Sequence, residues 1–191
     1  MRLFIGTLLG NGAQVFYRRL VDGLVREHGR VLRAVPADSL HLTHAFGAAV
    51  PDERLPDVRA AASDVAGRFA RIAIALDTPR ALCTGRHPRL ICADVTTGAP
   101  ALASLVAGLA AALASRCGDV EWRPSTSPHV TLARFRRGAR RADADDVMRS
   151  VLAAGDLARA DVVERLQVVA SELTASGSVY RVLHEAPMSD S

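Results

Sequence analysis

The sequence predicts a mixed fold, α+β or α/β, with helices packed on the outer faces of a sheet, and three observations carry that expectation. Strand-like apolar stretches are interleaved with helical stripes along all 191 residues. No Gly/Ser-rich or Pro-rich run makes a long linker, so any two lobes must share a sheet or sit tightly together. A hydrophobic content of 49% over this length suits one compact domain or two small fused lobes.

Leu3 to Leu9 is an apolar run broken by Gly6 and followed by Gly10 and Gly12. It is too short to span a bilayer and predicts a buried strand rather than a signal peptide. Asn11-Gly12 opens a helix in which Phe16, Leu20 and Leu24 recur every four residues beside Val21 and Val25. Leu40 to Phe46 reads as a strand, and Val58, Ala62, Val65 and Phe69 as the stripe of a second helix. Ile72, Ile74 and Leu76 alternate as a strand does, and Leu90 to Val95 reads as another. Leu102, Leu105, Val106, Leu109 and Leu113 mark the clearest helix. Trp122 to Pro128 is loop by composition, His129 to Phe135 a strand, and the region around Asp143 to Leu152 a helix. Val163 to Ala170 and Val179 to His184 form a closing hairpin around Ser176-Gly177.

Composition narrows the chemistry. All 24 basic residues are Arg, so a Lys Schiff base or a Walker-type Lys is excluded. The +4 formal charge allows an anionic partner without requiring one. Cys83, Cys92 and Cys117 are odd in number and contain no C-x-x-C, which fits a reducing cytoplasm and neither a disulfide framework nor a zinc knuckle.

The informative feature is a repeat. Ser39-Leu40-His41-Leu42-Thr43-His44-Ala45-Phe46 recurs 88 positions later as Ser127-Pro128-His129-Val130-Thr131-Leu132-Ala133-Arg134. With six His and nine Thr, chance supplies roughly 0.3 H-x-T matches in the chain, so two with shared flanks are informative where one would not be. Residues two apart on a strand share a face, so each segment presents one imidazole beside one hydroxyl. Were the halves related by a pseudo-two-fold axis, His41, Thr43, His129 and Thr131 would surround one cleft. Two imidazoles facing one anion suit acid–base cleavage of a phosphodiester, one His taking a proton from water and the other giving one to the leaving oxygen. Thr hydroxyls can donate to non-bridging oxygens, and an Arg can meet the growing charge. A metal held by His41, His44 and His129 is argued against by strand geometry, which puts His44 on the opposite face, and by segments without a carboxylate or thiolate.

At these residues the chain resembles the 2H phosphoesterase superfamily, and within it the bacterial RNA 2′,3′-cyclic phosphodiesterases, also called 2′-5′ RNA ligases. The likeness takes in Met1 to Ile5, both H-x-T segments, the Arg three residues after the second Thr, and Ser171 to Tyr180. It implies an α+β fold in which residues 1–191 form a single domain of two intertwined pseudo-symmetric lobes, with antiparallel-rich sheets lining a central cleft and helices outside. It further implies metal-independent, cofactor-free hydrolysis of a terminal 2′,3′-cyclic phosphate on RNA to a 2′-phosphate. His41 would donate to the departing 3′ oxygen, His129 would accept from water, and Thr43, Thr131 and Arg134 would hold the phosphate. A cytoplasmic monomer without membrane attachment is expected. Simple alternation sets Arg134 on the face opposite His129, so its guanidinium must reach the cleft through its long stem, a bulge or a strand end. His44 stands where the family commonly has an apolar residue, and Phe46 and Trp122 are the candidates for stacking on a base.

Arg134 to Arg141 carries five Arg in eight positions, read equally as a solvated loop or as a contact to the RNA backbone. Arg86-His87-Pro88-Arg89 reads as an exposed turn. Three other functions keep the same cleft: an RNA-end binding module without turnover, a 2H enzyme acting on small cyclic nucleotides, and RNA ligation by the reverse reaction.

Overall fold

The computed structural model describes residues 1–174 and 177–190; Ser176, at the expected hairpin tip, lies outside them. In chain order the elements are β1 (Leu3–Leu8), α1 (Asn11–His28), β2 (Leu32–Ala34), β3 (His41–Gly47), α2 (Leu55–Ala66), β4 (Ile72–Leu76) and β5 (Arg80–Thr84). There follow β6 (His87–Asp94), α3 (Ala99–Arg116), β7 (Trp122–Pro124), β8 (His129–Phe135), α4 (Arg141–Ala153), β9 (Arg159–Val163), β10 (Arg165–Thr174) and β11 (Gly177–Pro187). Short 3₁₀ turns sit at Ala37–Ser39 and Asp52–Arg54.

The duplication is far wider than the H-x-T segments. The run from β1 through α1, β2, β3 and α2 to β4 is matched by the run from β6 through α3, β7, β8 and α4 to β9. Both first helices have 18 residues, both short strands 3, both H-x-T strands 7 and both last strands 5. Equivalent elements also meet across the molecule, β3 with β8 and β4 with β9, both antiparallel. That is the arrangement a pseudo-two-fold axis produces.

The strands run β11-β10-β1-β3-β8-β6-β5, with β2 on β8 and β7 on β3, all pairings antiparallel. This path is two blocks joined by one residue pair, Leu42 with Val130. The halves then exchange elements. Helix α1 leaves β1 but packs on β2 and β8, while α3 leaves β6 but packs on β3 and β7. Helix α2 covers β10 and β11, and α4 covers β5 and β6. The result is an α+β fold with helices outside, as the resemblance implies.

Several elements differ from the sequence reading for identifiable reasons. In α1 the buried stripe is Ala13, Tyr17, Val21 and Leu24, one residue round from Phe16 and Leu20. Phe16 stays at the boundary, where the Arg159 guanidinium stacks on its ring at 3.7 Å. Helix α2 ends at Ala66, so Phe69 packs from the following turn. Trp122 to Pro124, read as loop, is strand β7 because the outer half of β3 supplies its partner. Likewise β2, β5 and β9 are short or exposed strands whose residues carry little periodic signal; their pairing is tertiary. Helix α3 is long and apolar enough to cross a bilayer by length and composition. Its four leucines, 102, 105, 109 and 113, are buried against the protein, and its exposed positions are mostly Ala and Ser.

Candidate functional site

The pair Leu42–Val130 fixes the geometry of the site. Extending that antiparallel register by one residue each way sets His41 opposite Thr131 and Thr43 opposite His129. Leu42, Val130, His44 and Leu132 are buried on the far face, whereas the four H-x-T polar residues are half-exposed on the near one. Directly opposed side chains in such a pair start about 5 Å apart, and the two His, on the diagonal, about 7 Å apart. Each imidazole therefore stands beside the other strand's hydroxyl, with the second imidazole across the square. No described residue hydrogen-bonds the hydroxyl of Thr43 or Thr131, so both are open to a ligand.

Each strand carries one extra residue at the same motif position. On β3, Gly6 opposes Thr43 and Ile5 opposes Ala45, leaving His44 unpaired. On β8, Cys92 opposes Thr131 and Ile91 opposes Ala133, leaving Leu132 unpaired. Both are β-bulges, and both strands accordingly show two consecutive buried residues where alternation predicts one. Parity flips past the bulge. Arg134 returns to the face of His129, and Phe46, its counterpart, to the face of His41. This corrects the simple alternation, which put Arg134 on the far side. Ala45 and Ala133 fit because the second inward residue must be small. A Cβ on Gly6 would collide with the Leu42 carbonyl, so close packing beside the first bulge also requires glycine there.

The imidazoles are held alike. Nδ1 of His41 donates to the Ser39 carbonyl at 2.7 Å, and Nδ1 of His129 to the Ser127 carbonyl at 2.9 Å. The serine shared by both segments thus acts through its backbone, and in each ring Nε2 is left to face the cleft. Their surroundings differ. Phe4 stacks on His41 with centroids 4.4 Å apart, and Tyr180 meets the edge of that ring at 5.2 Å. Burial lowers the His41 pKa below its usual 6.5; the Ser39 carbonyl opposes the shift, and the nearby charges of Arg134 and His129 reinforce it.

His44, behind the site, is fully buried. The Thr7 hydroxyl donates to the Arg165 carbonyl at 2.9 Å, so His44 Nε2 must be the donor in its 3.0 Å contact with Thr7, leaving Nδ1 without a partner. Burial, with a smaller contribution from His41, depresses the His44 pKa to about 4. The unfolded chain therefore binds a proton near pH 6.5 that the folded chain refuses until about pH 4, and stability falls as pH drops through that window. The loss attributable to His44 is of the order of 3 kcal/mol. Leu132 occupies the equivalent place in β8, so His44→Leu should fold and show a flatter dependence of denaturation midpoint on pH between 6.5 and 4. A variant as acid-sensitive as the parent would contradict this.

Four residues of the site were given no role in it by sequence reasoning. Phe4 and Tyr180 frame His41, and Asp94 and Cys92 lie opposite His129 and Thr131 on β6. Asp94 is engaged by Arg80 through both oxygens, and burial pushes the Cys92 thiol up to about 11. Neither offers a free anionic ligand to a metal. Their strand spacing was visible; their pairing partners were not. Phe46 faces the cleft with the Arg2 guanidinium 4.8 Å from its ring centroid. Trp122 instead packs its indole over Gly47, away from the imidazoles.

The comparisons with known proteins bear on the family and the fold. No curated protein matches the sequence. The crystal structure of TT0787 from Thermus thermophilus superposes with a TM-score of 0.77 at 26% identity, over 98% of each chain. Escherichia coli LigT complexed with 3′-AMP gives 0.66 at 20% identity, over 98% of this chain and 97% of that one, a likeness of fold. The MHV ns2 PDE domain shares the fold at a TM-score of 0.56 and 21% identity, over 73% of this chain and 86% of that one. The model of the 2′-5′ RNA ligase superfamily matches residues 18–173, a span that contains both H-x-T strands and both bulges, and the chain belongs to that superfamily of 2H phosphoesterases.

Proposed function

We infer that the chain hydrolyses the terminal 2′,3′-cyclic phosphate of RNA to a 2′-phosphate by metal-independent two-histidine acid–base catalysis, with His41 and His129 as the catalytic pair. Superfamily membership supports a phosphodiesterase or ligase-type activity. The observation that carries the finer reading is the matched pair of Nδ1-to-carbonyl bonds, which aims two Nε2 atoms at one face between two unpartnered threonine hydroxyls and Arg134.

Water attacks phosphorus while His129 Nε2 takes its proton, the bond from phosphorus to O3′ breaks, and His41 Nε2–H protonates O3′. The products are a 3′-hydroxyl and a 2′-phosphomonoester, and proton exchange with solvent resets the pair. Thr43, Thr131 and Arg134 hold the non-bridging oxygens, whose charge grows in the transition state. In the ligand-free protein His41 is held neutral near pH 7 by burial and by Arg134. A bound phosphate monoanion opposes that bias and so raises the charged fraction of the acid when its substrate arrives. Ligation replaces water by a 5′-hydroxyl and uses the same groups.

The deciding experiment incubates purified protein with a cyclic-phosphate-ended oligoribonucleotide in EDTA and identifies the product. A 2′-phosphate formed at an undiminished rate is expected. A 3′-phosphate, or loss of activity with the chelator, would contradict the assignment.

A further inference from the structure

Two basic segments that look unrelated in sequence meet in space. A groove of about 640 Å³ beside the cleft is lined by Arg89 and His87 from β6, by Arg134, Arg136 and Arg137 from β8 and the turn after it, and by Arg33 from β2. None of its described lining residues is acidic. Elsewhere on this surface Arg is commonly neutralised, as in Arg54 with Asp57 and Asp119, Arg116 with Asp64, and Arg165 with Glu164 and Glu185. Arg89, Arg134 and Arg137 have no acidic partner among the described residues. Arg136 is steered by its Nε, which donates to the carbonyls of Gly29 and Leu32. Like charges gathered in a concavity repel one another, and an anion from outside relieves that repulsion.

The groove is continuous with the reacting centre. A smaller hollow of about 310 Å³, bounded by Ser39 and Tyr180 next to His41, shares Arg33 and Arg134 with it. Arg134 thus belongs to both the phosphate-cleaving square and the groove. From Arg134 to Arg136 is about 7 Å of strand, enough to step from one phosphate towards the next.

We propose that this groove is a second anion site, binding the internucleotide phosphates that lie 5′ of the reacting nucleotide, so that the protein selects polynucleotide ends over free cyclic nucleotides. The inference rests on the reading of the cleft as a cyclic phosphodiesterase. The occupant is RNA rather than another polyanion because a 2′,3′-cyclic phosphate requires a ribose, and its terminal nucleotide continues only through the 5′ oxygen. Contacts to phosphates give no base selection, so affinity here depends on salt and not on sequence.

The test compares Arg89→Ala/Arg137→Ala with the parent on a short cyclic-phosphate-ended oligoribonucleotide and on adenosine 2′,3′-cyclic phosphate. Both arginines are exposed and unpaired, so folding is unaffected. The double variant should raise KM for the oligonucleotide about tenfold and leave kcat and the mononucleotide rates unchanged. Its salt dependence should be shallower by about 0.7 in log–log slope for each phosphate that the groove no longer neutralises. Arg89→Lys/Arg137→Lys should restore most of the affinity. Equal effects on both substrates, or no effect on either, would overturn the proposal. Anisotropy of the same labelled RNA separates the two readings. Salt-sensitive binding that the double variant weakens, without turnover by the parent, would sink the hydrolase assignment and leave the groove standing.

Discussion

His129→Ala is expected to lower kcat on a cyclic-phosphate-ended RNA by about 10²- to 10⁴-fold while the protein stays folded, because His129 is half-exposed and its removal opens no core cavity. His41 is better replaced by Gln, since its ring fills the space between Phe4 and Tyr180. The loss should be similar in size. Joining the two changes should cost little more than either alone, as expected for groups that act on one transition state. The pH profile carries a signature that a structural role would not. If His41 is the acid, activity falls as pH rises through its pKa, and that pKa is depressed in the free protein. Rate against pH should be bell-shaped, with limbs that belong to the pair rather than to either ring, and the alkaline limb of kcat, measured with the phosphate bound, should lie above that of kcat/KM. Near-normal rates in either variant would remove acid–base catalysis by this pair, and a kcat/KM profile without an alkaline limb would remove a protonated imidazole as the acid.

The pair itself was legible in sequence because the 88-residue repeat preserves what alternation needs: His and Thr two apart with apolar residues between them. The equal lengths of α1 and α3, β2 and β7, β3 and β8, and β4 and β9, by contrast, could not be read, because β2, β7 and β9 are stabilised by partners in the other half rather than by their own periodicity. Helix α1 shows the same limit at finer grain. Its pattern is amphipathic from either Phe16 or Tyr17; the structure buries Tyr17, and Arg159, 143 residues further on, covers the Phe16 ring left at the boundary. The bulges lie between these cases. A signal was present, since both segments place Ala four residues after His, but a single extra residue changes the facing of everything after it and only cross-strand register reveals it. Phe4 and Tyr180 lay in segments that the resemblance singled out without giving them a role, and Asp94 had no signal, because its place opposite His129 is set by the register of β6 on β8.

Arg134 tests the bulge directly. Placed on the near face by the extra Leu132, its guanidinium depresses the His41 pKa from across the strand pair and stands where the non-bridging oxygens of a bound phosphate gather charge. Arg134→Ala should therefore do two things together. It should cost about 10²- to 10³-fold in kcat by removing a preorganised donor to the transition state, and it should raise the His41 pKa measured by NMR titration of the free protein. Arg134→Lys separates charge from shape: it keeps most of the depression of His41 but loses the two-pronged contact, so kcat should recover only in part. A far-face arginine would give neither effect, since its charge would act through the packed interior of Leu132 and Ala133 and its donors could not reach the phosphate. An unchanged His41 titration with an unchanged kcat would thus mean that β8 runs without its bulge in solution. A fall in kcat with no movement of His41 would place Arg134 at the phosphate but too far from the imidazole to set its charge.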